Sequence, residues 1–105
     1  MDMMKGLKAI ANPTRLRFLE LLKNPEPLPE LNAYEGSVKG LTAKALLGHL
    51  KCTQPSLSEQ MTLLAEVGLV ESRKVGRWVV YTRDEERIRQ LKQTIIDQLL
   101  PPASD

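Results

Sequence analysis

Gln54, Ser56, Ser58, Glu59 and Thr62 bring amide, hydroxyl and carboxylate groups together in one short stretch, with Pro55 among them. Groups of this kind read a surface more readily than they cut one. A Gln amide can pair bidentately with the edge of adenine, Ser can meet bases or phosphates, and the Glu59 carboxylate can either accept from cytosine or be repelled by phosphate and stay idle. Further along, Arg73, Lys74, Arg77 and Arg83 fall in a stretch without any acid, interleaved with Trp78 and Tyr81. Cations beside aromatics suit contact with a polyanion, although a solvated hairpin accounts for the same charges. The balance reverses between residues 24 and 40, where Glu26, Glu30 and Glu35 stand against Lys39. Reactive groups are scarce. With His49 and Cys52 as the sole imidazole and thiol, no nucleophile and base can be paired, so an enzyme is not expected. A soft-metal cage needs about three or four convergent ligands, so neither a metal site nor a cofactor is expected. Cys52 reads as core filler rather than a redox sensor, because no second thiol could resolve a sulfenic acid within the chain. His49 reads as an ordinary helix residue.

The 105 residues suit one domain spanning 1–105, and at 42% hydrophobic they can fill one modest core. A single cysteine rules out an intramolecular disulfide. The start of the sequence lacks a continuous apolar segment of the signal-peptide type, and no apolar run approaches the ~18 residues of a membrane span. The expectation is a cytoplasmic protein with no membrane partner.

Those polar and basic groups need elements to hold them. Met3, Met4, Leu7 and Ile10 have helical spacing over Met3–Ala11. Asn12-Pro13 then supplies a cap and a favoured first residue for a second helix, stopped by Asn24-Pro25. The prolines of residues 24–40 exclude a helix interior, so this stretch reads as an inserted surface loop with room for one helical turn near Glu30–Glu35. Leu41–Leu50 fits a helix again. After the break Lys51-Cys52-Thr53, a capped helix runs to about Val67 and buries Leu57, Met61 and Leu64, and Gly68 ends it. Val70–Lys74 and Trp78–Thr82 flank Val75-Gly76-Arg77 as a hairpin. Asp84-Glu85-Glu86 opens a final helix over 84–100, striped by Ile88, Leu91, Ile95 and Leu99 until Pro101-Pro102.

Two short helices joined by a tight break and followed by a hairpin describe a helix–turn–helix with a wing, mainly α with a small β-hairpin. With Leu57, Met61 and Leu64 inward, Pro55, Ser58, Glu59 and Thr62 point outward, and Gln54 and Ser56 sit at the tip. Arg73, Lys74 and Arg77 become the wing contacts. The partner would be a duplex DNA operator, and no residue names an effector. A winged-helix module that binds another protein is the alternative. The terminal stripes, Met3, Met4, Leu7 and Ile10 with Ile88, Leu91, Ile95 and Leu99, exceed what one small core hides and predict a homodimer.

The segments Leu7-Lys8-Ala9-Ile10-Ala11-Asn12-Pro13-Thr14-Arg15-Leu16-Arg17, Gln54-Pro55-Ser56-Leu57-Ser58, Leu64-Ala65-Glu66-Val67-Gly68-Leu69-Val70 and Gly76-Arg77-Trp78-Val79-Val80-Tyr81 resemble the opening, recognition helix, exit and wing of the arsenic-repressor (ArsR/SmtB) family. The resemblance covers nearly everything outside residues 24–40. It implies a dimeric winged-helix regulator, usually a repressor released by an inducer. The chain departs from the family in three ways. Thr42 and Lys44 stand where its metal sensors often carry Cys-x-Cys, and residues 84–100 hold no His. Lys51 occupies a turn position usually held by Gly, which predicts strain if its φ is positive, and Leu47 replaces a usual small residue. The 24–40 stretch is longer than the usual connection.

Overall fold

The computed structural model describes residues 2–101 apart from 25, 35 and 37. Pro25 as a helix stop, Glu35 in the acidic stretch and Pro102 after the last helix therefore lie outside the described residues. The elements in chain order are α1 (Met3–Ile10), α2 (Pro13–Leu21), β1 (Glu26–Pro27), a 3-10 turn (Pro29–Leu31), β2 (Lys39–Thr42), α3 (Ala43–His49), α4 (Gln54–Glu66), β3 (Val70–Val75), β4 (Trp78–Arg83) and α5 (Glu85–Leu99).

Caps fix most of the helix starts. The Asp2 carboxylate accepts from the N–H groups of Met4 and Lys5, and Asn12 Oδ1 accepts from those of Thr14 and Arg15. Thr53 and Asp84 do the same for α4 and α5. The helix expected over Leu41–Leu50 is shorter. Leu41 and Thr42 pair with Tyr81 and Val80 of β4, and the Thr42 hydroxyl caps α3 by accepting from the Ala45 N–H at 3.1 Å. Lys51 is not strained, because no described residue other than glycine has positive φ. Leu50 leaves α3 at φ −118° and ψ 107°, so the break starts in extended backbone that any residue adopts.

The hairpin turn has two residues, Gly76 and Arg77, rather than the three expected, because Val75 pairs directly with Trp78. Gly76 supplies φ 61° at the first central position, as a type II′ turn requires.

Residues 24–40 are more than an inserted surface loop. Their two strands extend the hairpin into a sheet of order β1-β2-β4-β3. Directly paired residues share a face, so Ser72 with Tyr81 and Lys74 with Val79 lie on one side, and Arg73 with Val80 and Val75 with Trp78 on the other. The first side joins the main core of Phe18, Leu22, Leu46, Leu57, Met61, Leu64 and Leu69, where burial pushes the Tyr81 phenol pKa up. On the second side, Leu31 and Val38 from the 24–40 stretch close over Val75 and Val80, with Leu28 and Trp78 at the edge. The proline-rich segment therefore folds because it covers a strand face that would otherwise be wet.

At the other end of the domain α1 rests on α5. A Cβ at Gly6 would stand 2.8 Å from Leu91 Cδ1, so the absence of a side chain at Gly6 permits the approach. Leu91, expected on a partner-facing stripe, is 4% exposed and belongs to this chain's own core.

Candidate nucleic-acid interface

α4 presents the face that its apolar spacing dictates. Leu57, Met61 and Leu64 are buried, while Gln54, Pro55, Ser58, Glu59 and Thr62 are exposed and Ser56 is half-buried. The tip is fixed by the Thr53 hydroxyl, which accepts from the Ser56 N–H at 3.2 Å. No polar side-chain atom buried among the described residues lacks a hydrogen-bond partner. Gln54, Pro55, Ser58, Glu59 and Thr62 present their side chains to solvent.

The sequence reading missed how α4 is anchored from the side. The Arg15 guanidinium donates to Gln60 Oε1 at 2.8 Å, to the Lys8 carbonyl at 3.2 Å and to the Ala9 carbonyl. The last two are carbonyls from the end of α1, so one cation ties α1, α2 and α4 together. Arg15 lies within the motif quoted above, but nothing in its spacing from Gln60 announces the pair.

The wing cations are spread around the hairpin rather than collected on one side. Lys74 shares the α4-facing side with Val79, Arg73 shares the side covered by the 24–40 stretch, and Arg77 stands at the tip. All three are exposed. Arg77 Cζ is 5.4 Å from the Trp78 ring centroid, within range of a cation–π contact that holds the charge at the tip. Arg83, the fourth base of the stretch, is committed elsewhere. Its side chain is 12% exposed and donates to both Glu85 carboxylate oxygens and, at 3.0 Å, to the Leu19 carbonyl.

The terminal helices carry a second surface. Met3, Leu7, Ile10, Ile88 and Ile95 are half-buried, whereas Met4 and Leu99 are 57% and 75% exposed. Exposed Leu16 and Leu100 add to this apolar surface. A cleft of about 480 Å³ between α2 and α5 is lined by Ile10, Leu16, Leu19, Ile88, Leu91 and Ile95 among others. Along the solvent side of α5, Arg89 donates to Glu86 and holds its carboxyl below the usual carboxylate range. Cys52 is half-buried against the main core and His49 is exposed at the end of α3. Among the described residues no three His, Cys, Asp or Glu side chains group as a metal ion requires, and no helix is long and apolar enough to cross a membrane.

No protein-family model matches the chain. It is 32% identical over 94 residues to the uncharacterized HTH-type transcriptional regulator YbzH of Bacillus subtilis, a match spanning 87% of this chain and 92% of that protein. It is also 32% identical over 89 residues to the arsenical resistance operon repressor of Staphylococcus xylosus, spanning 85% and 72% of the two. In structure it is similar to the homodimeric winged helix–turn–helix DNA-binding domain of Mb0332 from Mycobacterium bovis. That likeness has a TM-score of 0.62 at 22% identity and covers 97% of this chain and 84% of the other. Taken with the capped α3–α4 pair and the β3–β4 wing, these relatives show that the chain belongs to the ArsR/SmtB family of winged helix–turn–helix transcriptional regulators.

Proposed function

We propose that residues 1–105 act as one winged-helix unit, a cytoplasmic homodimeric repressor that reads a duplex operator with α4 and anchors with its wing. The observation that carries this reading is the exposed polar face of α4, formed by Gln54, Ser58, Glu59 and Thr62. Gln54, Ser56, Ser58, Glu59 and Thr62 take the base edges, with Pro55 stiffening the tip. Arg73, Lys74 and Arg77 take the backbone, where phosphate contacts supply most of the affinity. The name of the Staphylococcus xylosus relative supports repression.

A partner copy would cover Met3, Met4, Leu7 and Ile10 with Ile88, Ile95 and Leu99, leaving Leu91 to the core of its own protomer. Three features support it: the exposed apolar ends of α1 and α5, the cleft beside them and the homodimeric state of Mb0332.

Base reading and backbone anchoring separate in one experiment. A duplex selected by the protein from a random pool serves as the cognate site, and its scrambled version as the control. Gln54→Ala should cost roughly 1–3 kcal/mol on the cognate duplex and less on the scrambled one. Arg77→Ala should weaken both alike and lower the salt slope by about 1 per subunit. Equal losses on both duplexes for Gln54→Ala would remove its base-reading role.

The proposed repressor does not sense metal at the family's usual positions. Thr42, where a sensor would carry thiol, spends its hydroxyl capping α3, and Lys44 repels a cation. Titration with Zn²⁺, Cd²⁺ or arsenite should leave operator affinity within a few-fold. Stoichiometric binding with DNA release at micromolar metal would overturn this part of the proposal.

A further inference from the structure

Tyr34 is 57% exposed, yet its ring lies against the wing. A Cβ at Gly76 would stand 2.6 Å from Tyr34 Cε1 and 2.8 Å from its Cδ1 and Cζ. The ring therefore covers the backbone of the turn that carries Arg77. Its placement follows from the buried anchor beneath it. The Tyr34 N–H donates to the Leu31 carbonyl at 3.0 Å, and Leu31 is 1% exposed in the cluster with Val75 and Val80. Asn32 Oδ1 accepts from the Val38 N–H at 3.3 Å and closes the segment on itself. The Tyr34 ring is thus tied, through a leucine buried three residues earlier, to the face of the wing.

We infer, on the basis of the DNA-binding reading above, that Tyr34 is a further contact to the duplex backbone. The 24–40 stretch makes the wing tip composite: Arg77 supplies charge, and the Tyr34 hydroxyl donates to a phosphate or sugar oxygen. A phenol suits this place, since its apolar body shields the turn and its polar end reaches into water or a ligand. Tyrosine hydroxyls are among the ordinary donors to the DNA backbone. Because the donor is neutral, the contact displaces no counterion, which sets it apart from Arg77.

The test is Tyr34→Phe, which keeps the ring over Gly76 and removes only the hydroxyl. Affinity is measured on the selected and scrambled duplexes at several salt concentrations, beside the melting temperature. The expected result is a loss of about three- to tenfold on both duplexes, with the salt slope and melting temperature unchanged. Binding indistinguishable from wild type on both duplexes would overturn the inference and leave the DNA-binding reading intact. A loss that comes with a lowered melting temperature and a smaller salt slope would also overturn it, because Tyr34 would then act only by placing Arg77. Failure of the wild-type protein to enrich any duplex from the random pool, or to bind mixed duplex at low salt, would remove the DNA-binding reading and this contact together.

Discussion

Gly40→Ala is expected to destabilise the protein by about 3–5 kcal/mol and to lower its melting temperature by at least about 12 °C. Two costs add at this position. Gly40 has φ 142°, a region essentially closed to residues with a side chain. Its missing Cβ would stand 2.6 Å from the Tyr81 carbonyl oxygen and 2.9 Å from Val80 Cγ1. The first of those atoms is backbone in the central strand and cannot step aside alone. Gly40 is where β2 passes from pairing with β1 to pairing with β4, so relief of the clash would peel the 24–40 stretch away from Val75 and Val80. Thermal unfolding of the variant beside Gly36→Ala provides the check. Nothing lies within 4 Å of a Cβ at Gly36, so that substitution should change stability little. Equal effects at the two glycines would sink the explanation.

The second large effect concerns the proposed dimer. Leu99→Glu combined with Met4→Glu should yield a monomer that keeps its fold and loses about a hundredfold or more in operator affinity. Both side chains are largely exposed in the single chain, so a carboxylate there costs the protomer little. Across an apolar interface the same carboxylates would be stripped of water without a cation to meet them. Two recognition helices held by one dimer bind two half-sites as a linked event, and separation forfeits that effective concentration. Sedimentation and duplex titration of the same sample test both halves. A dimer that survives both substitutions would show that the interface lies elsewhere.

Much of the recognition unit was legible because its signals are local. The Asn12-Pro13 start, the Thr53 cap, the spacing of Leu57, Met61 and Leu64, and Gly68 after α4 each act within a few residues of themselves. What escaped depends on partners far along the chain. Proline content made 24–40 read as loop, yet the missing clue was in the wing. Trp78-Val79-Val80-Tyr81 is apolar without alternation, which is how a strand buried on both faces reads. Some second segment had to cover the far face, and Leu31 and Val38 do so. Leu41 fits the helical period of Leu41–Leu50, but pairing with Tyr81 claims it for β2. Leu91 fits a partner-facing stripe by period alone, but it packs inward with the main core and against Gly6 of α1. Of the candidate side chains on α4, Gln54, Pro55, Ser58, Glu59 and Thr62 are exposed while Ser56 is half-buried, and the wing cations divide between two strand faces and a tip.

The Arg15 bridge bears on how a signal could reach the operator. One guanidinium holds both the closing carbonyls of α1 and the flank of α4. Arg15 therefore couples α1 to α4, and α1 cannot shift without straining or surrendering those charged hydrogen bonds. Any inducer that acts by displacing α1 must supply that difference from its own preference for the shifted state. Linkage then works in both directions. If such an inducer loosens the grip on DNA by some factor, DNA must weaken the binding of the inducer by the same factor.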